Sequence, residues 1–239
     1  MKKTKHEMII TNRHGQVRVA LLENGELAEI YIEKSRKRSL VGNIYVGRIT
    51  NVLPGMSAAF VDIGVGKNAL LYLQDIVLME DGSQVKPRKI GKVLKQNDTI
   101  TAQVTKDPMG NKGARLTTNL SLPGRLMVYI PQGNRSGVSR RLPDKERERL
   151  RKIAKELRPE EGSTIIRTAA HRARKKDIEA DLDYVVKQWK AVQKKIERAK
   201  APALVSQEPD LAVRVVRDSF SREFSRLLVD SQQEHRRIM

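Results

Sequence analysis

The sequence contains no cysteine, few aromatic residues and only four histidines. Without cysteine it can form neither disulfides nor thiolate zinc sites, and a reducing compartment is permitted but not proved. We expect no histidine metal site, because no two histidines lie at ligand spacing from each other: His6, His14, His171 and His235. Phe, Trp and Tyr make up 4% of the chain, so base stacking is confined to a few positions.

The chain also lacks a long apolar run and a lipidation motif. Its basic start, Met1–Glu7, is not followed by the apolar core of a secretory signal. We therefore expect no membrane span and a cytoplasmic location.

Positive charge dominates what is present. The chain has 47 Lys and Arg against 28 Asp and Glu, a formal net charge of +19. Such a chain repels itself, and a polyanion is the expected partner. Nucleic acid is favoured over an acidic membrane surface, which would need an amphipathic helix with an exposed apolar face. Ribosomal proteins and RNA enzymes share this composition, so charge alone does not choose between them.

Residues 37–120 carry the pattern of a five-stranded barrel. Strands are predicted at residues 40–52, 56–63, 68–73, 99–105 and 114–120. Pro54 and Gly55 predict a turn in which proline presets φ and glycine takes a positive φ. Residues 80–96 are predicted to be a flexible loop. Five short strands with glycine bends suit an OB-type barrel, whose faces and loops often bind oligonucleotides.

Other elements flank the barrel pattern. Three strands are predicted before it, at residues 8–10, 17–22 and 27–32, with Asn24 and Gly25 forming a hairpin turn. After residue 124 strands alternate with helices, and this change predicts a domain boundary. The elements predicted there are strands at 126–130, 164–166, 203–205 and 224–229, helices at 144–157, 176–200 and 210–222, and a polar tail.

Five motifs, in order along nearly the whole chain, resemble the ribonuclease E/G family. They are Val41–Ile49, Val52–Gly64, Gly110–Thr118, Ser136–Arg141 and Ile165–Ala169. The resemblance implies an α+β chain, in which a five-stranded S1-type OB β-barrel and an α/β 5′-sensor domain are inserted into a split, incomplete ribonuclease H-like domain. Its implied boundaries are 1–36 and 206–239 for the ribonuclease H-like parts, 37–120 for the barrel and 121–205 for the 5′-sensor.

The same resemblance exposes an absence. The family's catalytic domain carries metal-binding aspartates in an Asp-Ile-Asn type motif, and this chain has no such motif. The cysteine pair that links subunits through zinc in many members is absent as well. No convergent set of carboxylates suited to two-metal chemistry is evident from the residues either. We therefore expect no catalytic residue and no cofactor in this chain, which is predicted to be inactive alone. Mg²⁺, and a homo-oligomer, are implied only for the full-length enzyme.

Arg167 and Thr168 are the candidate 5′-phosphate ligands. A terminal monophosphate carries about −1.5 to −2 charges, and it is bound well by a planar guanidinium with hydroxyl and amide donors. An Arg-Thr pair leaving a buried strand supplies these groups, although spacing alone would allow Arg167 to be an ordinary surface cation. The resemblance assigns the role to Arg167 and Thr168, and it adds Gly124 and Val128 as contacts to the terminal nucleotide.

Phe60 is the candidate stacking residue of the barrel, because the family has an exposed aromatic residue at this position. A lone phenylalanine in a strand is more often part of the core, and that alternative stays open here. The family's second aromatic position falls at Leu70, so stacking there is lost unless the neighbouring Tyr72 replaces it. Which of the two residues occupies that position is not decided by the sequence.

Four cations complete the candidate RNA surface. Lys106 and Lys112 flank a glycine-containing loop that can approach a phosphate closely, and the family uses a lysine here. Arg140 and Arg141 would extend the cationic track towards the 5′-sensor. As charges alone, all four would be solvated surface residues. The basic face of the helix at 176–200 is interpreted as such a solvated face, over an apolar stripe that packs inward.

The predicted function is the RNA-binding portion of a ribonuclease E/G-type endoribonuclease of RNA processing and decay. It would hold single-stranded RNA, preferably with a 5′-monophosphate, on the barrel and at the sensor. The alternative is a non-enzymatic OB-fold RNA-binding protein associated with ribosomes or translation. That alternative explains the charge and the barrel equally well, but gives no reason for Arg167 and Thr168.

Overall fold

The computed structural model describes residues 4–34, 38–80, 83–85, 87–220 and 223–238. The chain divides into two compact units, one formed by Met1–Ser39 with Glu208–Met239 and the other by Leu40–Gln207. In chain order the strands are β1 (His6–Arg13), β2 (Gln16–Glu23), β3 (Glu26–Lys34), β4 (Ile44–Leu53), β5 (Ala58–Asp62), β6 (Ala69–Tyr72), β7 (Leu78–Glu80), β8 (Ser83–Val85), β9 (Thr99–Lys106), β10 (Arg115–Thr117), β11 (Leu122–Pro123), β12 (Met127–Ile130), β13 (Gly137–Val138), β14 (Ser163–Ile166), β15 (Ala203–Ser206) and β16 (Phe224–Val229). The α-helices are α1 (Asp144–Glu156), α2 (Lys175–Arg198), α3 (Leu211–Ser219) and α4 (Gln232–Ile238).

The first unit is a four-stranded sheet in the order β16-β1-β2-β3, with β16 parallel to β1. The predicted hairpin is confirmed, since Asn24 and Gly25 both have positive φ, at 54° and 88°. Residues that alternate along β1 and β2 pack against α3 in a small core, which includes Met8, Val19 and Val215. The assignment of this unit to a ribonuclease H-like domain stays a prediction.

Residues 232–238 of the predicted polar tail form a helix, α4, although no element was predicted there. Ser231 caps this helix, because its Oγ accepts a hydrogen bond from the backbone N–H of Glu234. Arg237 then pairs with Glu234 one turn earlier and with Asp210 at the start of α3. A local cap and one ion pair to a distant residue therefore order this polar segment.

A closed five-stranded barrel, as predicted, begins the second unit. Its strands follow the order β4-β5-β6-β10-β9, and pairing of β9 with β4 closes it. Its interior is apolar and includes Ile49, Val61, Leu71, Val104 and Leu116. The barrel is consistent with the OB type. β15 pairs antiparallel with the first residues of β4 (44–46), which precede the part of β4 that pairs with β5.

The turn at Pro54 differs from the prediction. Pro54–Met56 forms a single 3₁₀ turn, and the residue with positive φ is Ser57, at 49°, rather than Gly55. The Ser57 N–H donates to the Pro54 carbonyl over 3.1 Å. Because the 3₁₀ turn is three residues long, the left-handed residue follows it, and β5 begins at Ala58 instead of Met56.

Much of the predicted flexible loop at 80–96 is also structured, so that prediction was wrong. β7 and β8 form a hairpin, and the predicted loop residue Lys86 lies outside the described residues. Ile90, the first residue of a 3₁₀ turn at Ile90–Lys92, and Leu94, two residues after that turn, are buried in the barrel core. The burial of these two residues was not predicted, because most of their neighbours in the sequence are polar.

The rest of the second unit is a four-stranded sheet, β11-β12-β14-β13, packed against α1 and α2. The predicted apolar stripe of α2 is confirmed, because Ile178, Leu182, Val185 and Val192 are buried in this core. Met127 and Ile166 face the same core from neighbouring strands. Among the described residues, no helix combines the length and apolarity needed to cross a membrane.

Candidate nucleic-acid interface

Arg167 leaves the end of β14 directly opposite the turn that precedes β12. Its backbone N–H donates to the carbonyl of Leu126, and its Nη1 donates to the carbonyl of Gly124, each over 2.8 Å. The side chain is half-buried. These contacts fix the guanidinium beside the turn at residues 123–127, so the structure brings together two of the residues proposed from the sequence.

Gly124 is required by close packing against α2. A Cβ at this position would lie 2.6 Å from Asp181 Oδ2 and 2.8 Å from Val185 Cγ1. The Asp181 carboxylate reaches past Gly124 to accept the backbone N–H groups of Arg125, Leu126 and Met127, at 3.0, 2.8 and 3.1 Å. The missing side chain therefore lets one carboxylate shape the turn whose carbonyl holds Arg167.

Thr168 is exposed and shares a hydrogen bond with Ser139, with 2.9 Å between the two hydroxyl oxygens. Ser139 is held in place because its N–H donates to the carbonyl of Ile166 over 2.8 Å. The backbone N–H of Arg141 in turn donates to Ser139 Oγ over 3.3 Å. The exposed Arg140 and Arg141 therefore follow directly on this hydroxyl pair. No role was predicted for Ser139, although it lies in one of the quoted motifs.

A small apolar surface, formed by Val128 and Ile165, lies on the same face of the sheet as Arg167. Val128 on β12 is directly paired with Ile165 on β14. Their neighbours Met127 and Ile166 face the core, so Val128 and Ile165 point to the opposite, outer side. Ile165 is 40% exposed and Val128 half-buried. A cation, paired hydroxyls and a small apolar surface are thus adjacent, an arrangement suited to a phosphate and an attached base.

The segment after Thr168 is tied to α1 through Glu146. Its Oε1 accepts the backbone N–H of Arg172, which has a positive φ of 58°, over 2.7 Å. Arg149 donates to both oxygens of Glu146, at 2.9 and 2.7 Å, and also to the carbonyl of Ala173, at 2.9 Å. The hydrogen bond from Arg149 is the main reason that the pKa of Glu146 falls from 4.5 to about 2. The charged pair of Glu146 and Arg149 on α1 therefore holds the backbone of Arg172 and Ala173, which follow Thr168 in the chain.

Phe60 lies on the outer wall of the barrel. Its neighbours Ala59 and Val61 point into the barrel core, so Phe60 points outward, where it is half-buried. The core alternative for this side chain is therefore excluded. Leu70 is directly paired with Phe60 and also faces outward. Tyr72 follows on the same face of β6, two residues further along.

Arg115 continues this outer row, because it is paired with Leu70 on one side and with Lys106 on the other. Its guanidinium carbon lies 4.9 Å from the centre of the Tyr72 ring. Asp75 Oδ2 accepts from Arg115 Nε at 2.9 Å and from Nη2 at 2.8 Å. No motif in the sequence drew attention to Arg115 or Asp75, because their relation to Tyr72 depends on strand pairing.

Lys106 and Lys112 are both exposed, Lys106 at the end of β9 and Lys112 beside the tip of the loop that follows. At that tip Lys112 is bridged to Met109, and Gly110 has a positive φ of 56°. Gly113 passes so close to the neighbouring strand that a Cβ would lie 1.9 Å from the carbonyl oxygen of Asn68. The loop backbone therefore has a defined path, with one lysine at its start and the other beside its tip.

The part of the chain that the structure describes holds no group of three or more His, Cys, Asp or Glu side chains placed to bind a metal ion.

Comparison with known proteins gives consistent matches. Residues 121–239 match the Ribonuclease E/G family. Ribonuclease G of Escherichia coli (strain K12) is 41% identical over 233 residues, covering 95% of this chain and 48% of that protein. Ribonuclease G of Haemophilus influenzae is 36% identical over 233 residues, which again cover 95% of this chain and 48% of that protein. Ribonuclease E of Synechocystis sp. is 34% identical over 238 residues, covering 97% of this chain and 34% of that protein.

The chain spans about half the length of these ribonuclease G relatives and about a third of that ribonuclease E. The matched segment 121–239 contains the site around Arg167 and Thr168, and the longer matches also include the barrel. Residues 121–239 therefore form a ribonuclease E/G family domain, in a chain homologous to ribonucleases G and E.

Proposed function

We propose that this chain is an RNA-binding portion of a ribonuclease E/G-type endoribonuclease, which binds a 5′-monophosphorylated RNA end beside Arg167 and holds the single strand on the barrel. The observation that carries the proposal is the anchoring of the Arg167 guanidinium to the Gly124 carbonyl, next to the Ser139 and Thr168 hydroxyls. Homology to ribonucleases supports RNA as the partner.

The chemistry of the site suits a terminal phosphate. A guanidinium is always charged and presents its donors in a plane, which matches two phosphate oxygens. The hydroxyls of Thr168 and Ser139 add donors that rotate to meet the remaining oxygen. Val128 and Ile165 then offer an apolar surface to the first base. A 5′-hydroxyl end would leave the guanidinium without its charged ligand and bind more weakly.

The barrel would bind the same strand without reading its end. Phe60 offers a stacking surface, and Lys106 and Lys112 supply positive charge for the backbone. Arg140 and Arg141 extend this charge towards Thr168. Cleavage with Mg²⁺, assembly into a homo-oligomer and a cytoplasmic location are proposed for the complete enzyme. The chain by itself is proposed to bind RNA without cutting it, and cleavage that persists in highly purified chain with Mg²⁺ would contradict this.

The test compares three otherwise identical oligoribonucleotides that end in a 5′-monophosphate, a 5′-triphosphate or a 5′-hydroxyl. Fluorescence anisotropy at fixed salt should show the tightest binding for the monophosphate. Arg167→Ala should remove that preference while the affinity for the 5′-hydroxyl RNA is retained. Arg151→Ala is the matched control, because Arg151 is an exposed arginine on α1 away from the site, and its loss should weaken binding to all three equally.

Two results would overturn the proposal. If the wild-type chain binds all three ends with equal affinity, the barrel alone accounts for binding and the chain is better described as a general OB-fold RNA-binding protein. If Arg167→Ala keeps the monophosphate preference, the end is recognised somewhere else.

A further inference from the structure

The outer wall of the barrel carries one continuous row of side chains across three strands. Phe60 on β5 is paired with Leu70 on β6, and Leu70 is paired with Arg115 on β10. Adjacent strands lie about 4.8 Å apart, so about 10 Å separates the first and third members of the row. A single short oligonucleotide can therefore contact both ends of it.

Leu70 has no aromatic face with which to stack on a base. Tyr72, the next outward residue on β6, has one, but the Arg115 guanidinium covers it at 4.9 Å. A planar guanidinium, itself partly exposed, therefore lies over the tyrosine ring. Arginine planes accept stacked bases much as aromatic rings do.

Asp75 decides which part of a nucleotide this layer suits. One oxygen of its carboxylate accepts from both Nε and Nη2 of Arg115, which offsets the positive charge and fixes the guanidinium plane. A phosphate would be repelled by that carboxylate, whereas a neutral base loses nothing. The held plane also loses less side-chain freedom when a base stacks on it.

A cleft adjoins Arg115 on the side towards β9. Its volume is about 500 Å³, within the range of small-molecule sites, and its walls combine polar side chains with a larger share of apolar surface. Residues that line it include Asp75, Gln103, Lys106, Arg115, Thr117 and Ser121. Lys106 is exposed at its rim, where it can meet a phosphate that leads into or out of the cleft.

We propose that Arg115, layered on Tyr72 and held by Asp75, forms a second nucleobase-stacking subsite beside Phe60, with the base in this cleft and the adjoining phosphate near Lys106. The subsite replaces the stacking that Leu70 does not provide. The inference rests on the proposed binding of RNA to the barrel, and it assigns to Arg115 a role in contacting a base rather than the RNA backbone.

The experiment uses the full chain and a 5′-hydroxyl oligoribonucleotide, so that end recognition does not contribute. Each nucleotide in turn is replaced by an abasic one, and affinities are measured by anisotropy. For the wild-type chain, two separate positions should each lose about tenfold in affinity when the base is removed. Arg115→Lys keeps the positive charge but removes the planar guanidinium. In this variant, removal of the base should no longer weaken binding at one of the two positions. Phe60→Ala should abolish it at the other.

Two further variants separate stacking from charge and from folding. Tyr72→Leu removes the supporting ring and should act like Arg115→Lys at the same position, while Tyr72→Phe should behave as the wild type. Lys92→Ala removes an exposed barrel cation outside the cleft, so it should weaken binding slightly without altering the pattern of sensitive positions. Thermal unfolding of each variant shows whether the barrel is intact.

The results distinguish this inference from the function on which it rests. If folded Arg115→Lys and Tyr72→Leu keep both sensitive positions, the subsite is refuted while binding at Phe60 stands. If the wild-type chain does not bind the oligonucleotide at all, the proposed function fails and the subsite fails with it.

Discussion

Asp181→Asn tests whether one carboxylate on α2 sets the geometry of the proposed 5′-phosphate site. Asp181 accepts three backbone N–H groups of the turn that carries the Gly124 carbonyl, at distances of 3.0, 2.8 and 3.1 Å. An asparagine oxygen in place of Oδ2 still accepts the hydrogen bonds from the N–H groups of Leu126 and Met127. The asparagine NH₂ then faces the N–H of Arg125, so that one charged hydrogen bond is replaced by two donors in contact.

The expected loss of stability follows from this count. A hydrogen bond to a charged group contributes about 1.5–3 kcal/mol, so the free energy of unfolding of the variant should be about 2 kcal/mol below that of the wild type. Asp183→Asn is the matched control, because Asp183 lies on the same helix but is exposed. Its effect should stay within about 0.5 kcal/mol.

Urea unfolding followed by tryptophan fluorescence measures both variants. Trp189 is the only tryptophan in the sequence, and it packs against the core that contains α2, so its signal reports on this part of the chain. The preference for 5′-monophosphate RNA should also fall in Asp181→Asn, because the Gly124 carbonyl that anchors Arg167 is displaced. Equal stabilities of the two variants, within error, would refute the claim that this carboxylate holds the turn.

Two other substitutions test the loops beside the proposed RNA surface. Gly113→Ala places a Cβ at 1.9 Å from the Asn68 carbonyl oxygen, so the backbone must shift, with an expected cost of about 1–3 kcal/mol in urea unfolding. An unchanged midpoint would show that the loop yields without cost. Glu146→Gln tests acid stability: the folded-state pKa of Glu146 is about 2 against 4.5, so its stabilisation is present above pH 4.5 and is lost as pH falls towards 2. The wild type should therefore exceed the variant in stability at neutral pH and converge with it near pH 2. A difference that does not change with pH would contradict a role for the charge.

Predictions from local pattern were accurate where the determining residues lie close together in the chain. Asn24 and Gly25 specify a tight hairpin by their own φ preferences, and the structure has that hairpin. The apolar stripe of α2 likewise reveals which face of the helix is buried. Such periodicity is a property of a few consecutive residues, so tertiary contacts reinforce it rather than create it.

Predictions failed where turn geometry, a helix cap or a distant contact, rather than a repeating pattern, set the structure. The residue with positive φ at the β4–β5 turn is Ser57, and Pro54-Gly55 taken as an isolated pair indicates a different turn. Ile90 and Leu94 are buried by a barrel that closes around them, although their neighbours are polar. α4 is ordered by Ser231 and by an ion pair to α3, which local propensity does not report.

The candidate site divides in the same way. The sequence by itself determined the positive charge and the strand pattern of the barrel, and its resemblance to a family led to the proposal of Arg167 and Thr168. Only the tertiary structure decided that Ser139 meets Thr168, and that the guanidinium over the Tyr72 ring belongs to Arg115, 43 residues further along the chain (115 − 72). Such contacts need groups within a few ångströms of each other, and strand pairing brings these distant residues together.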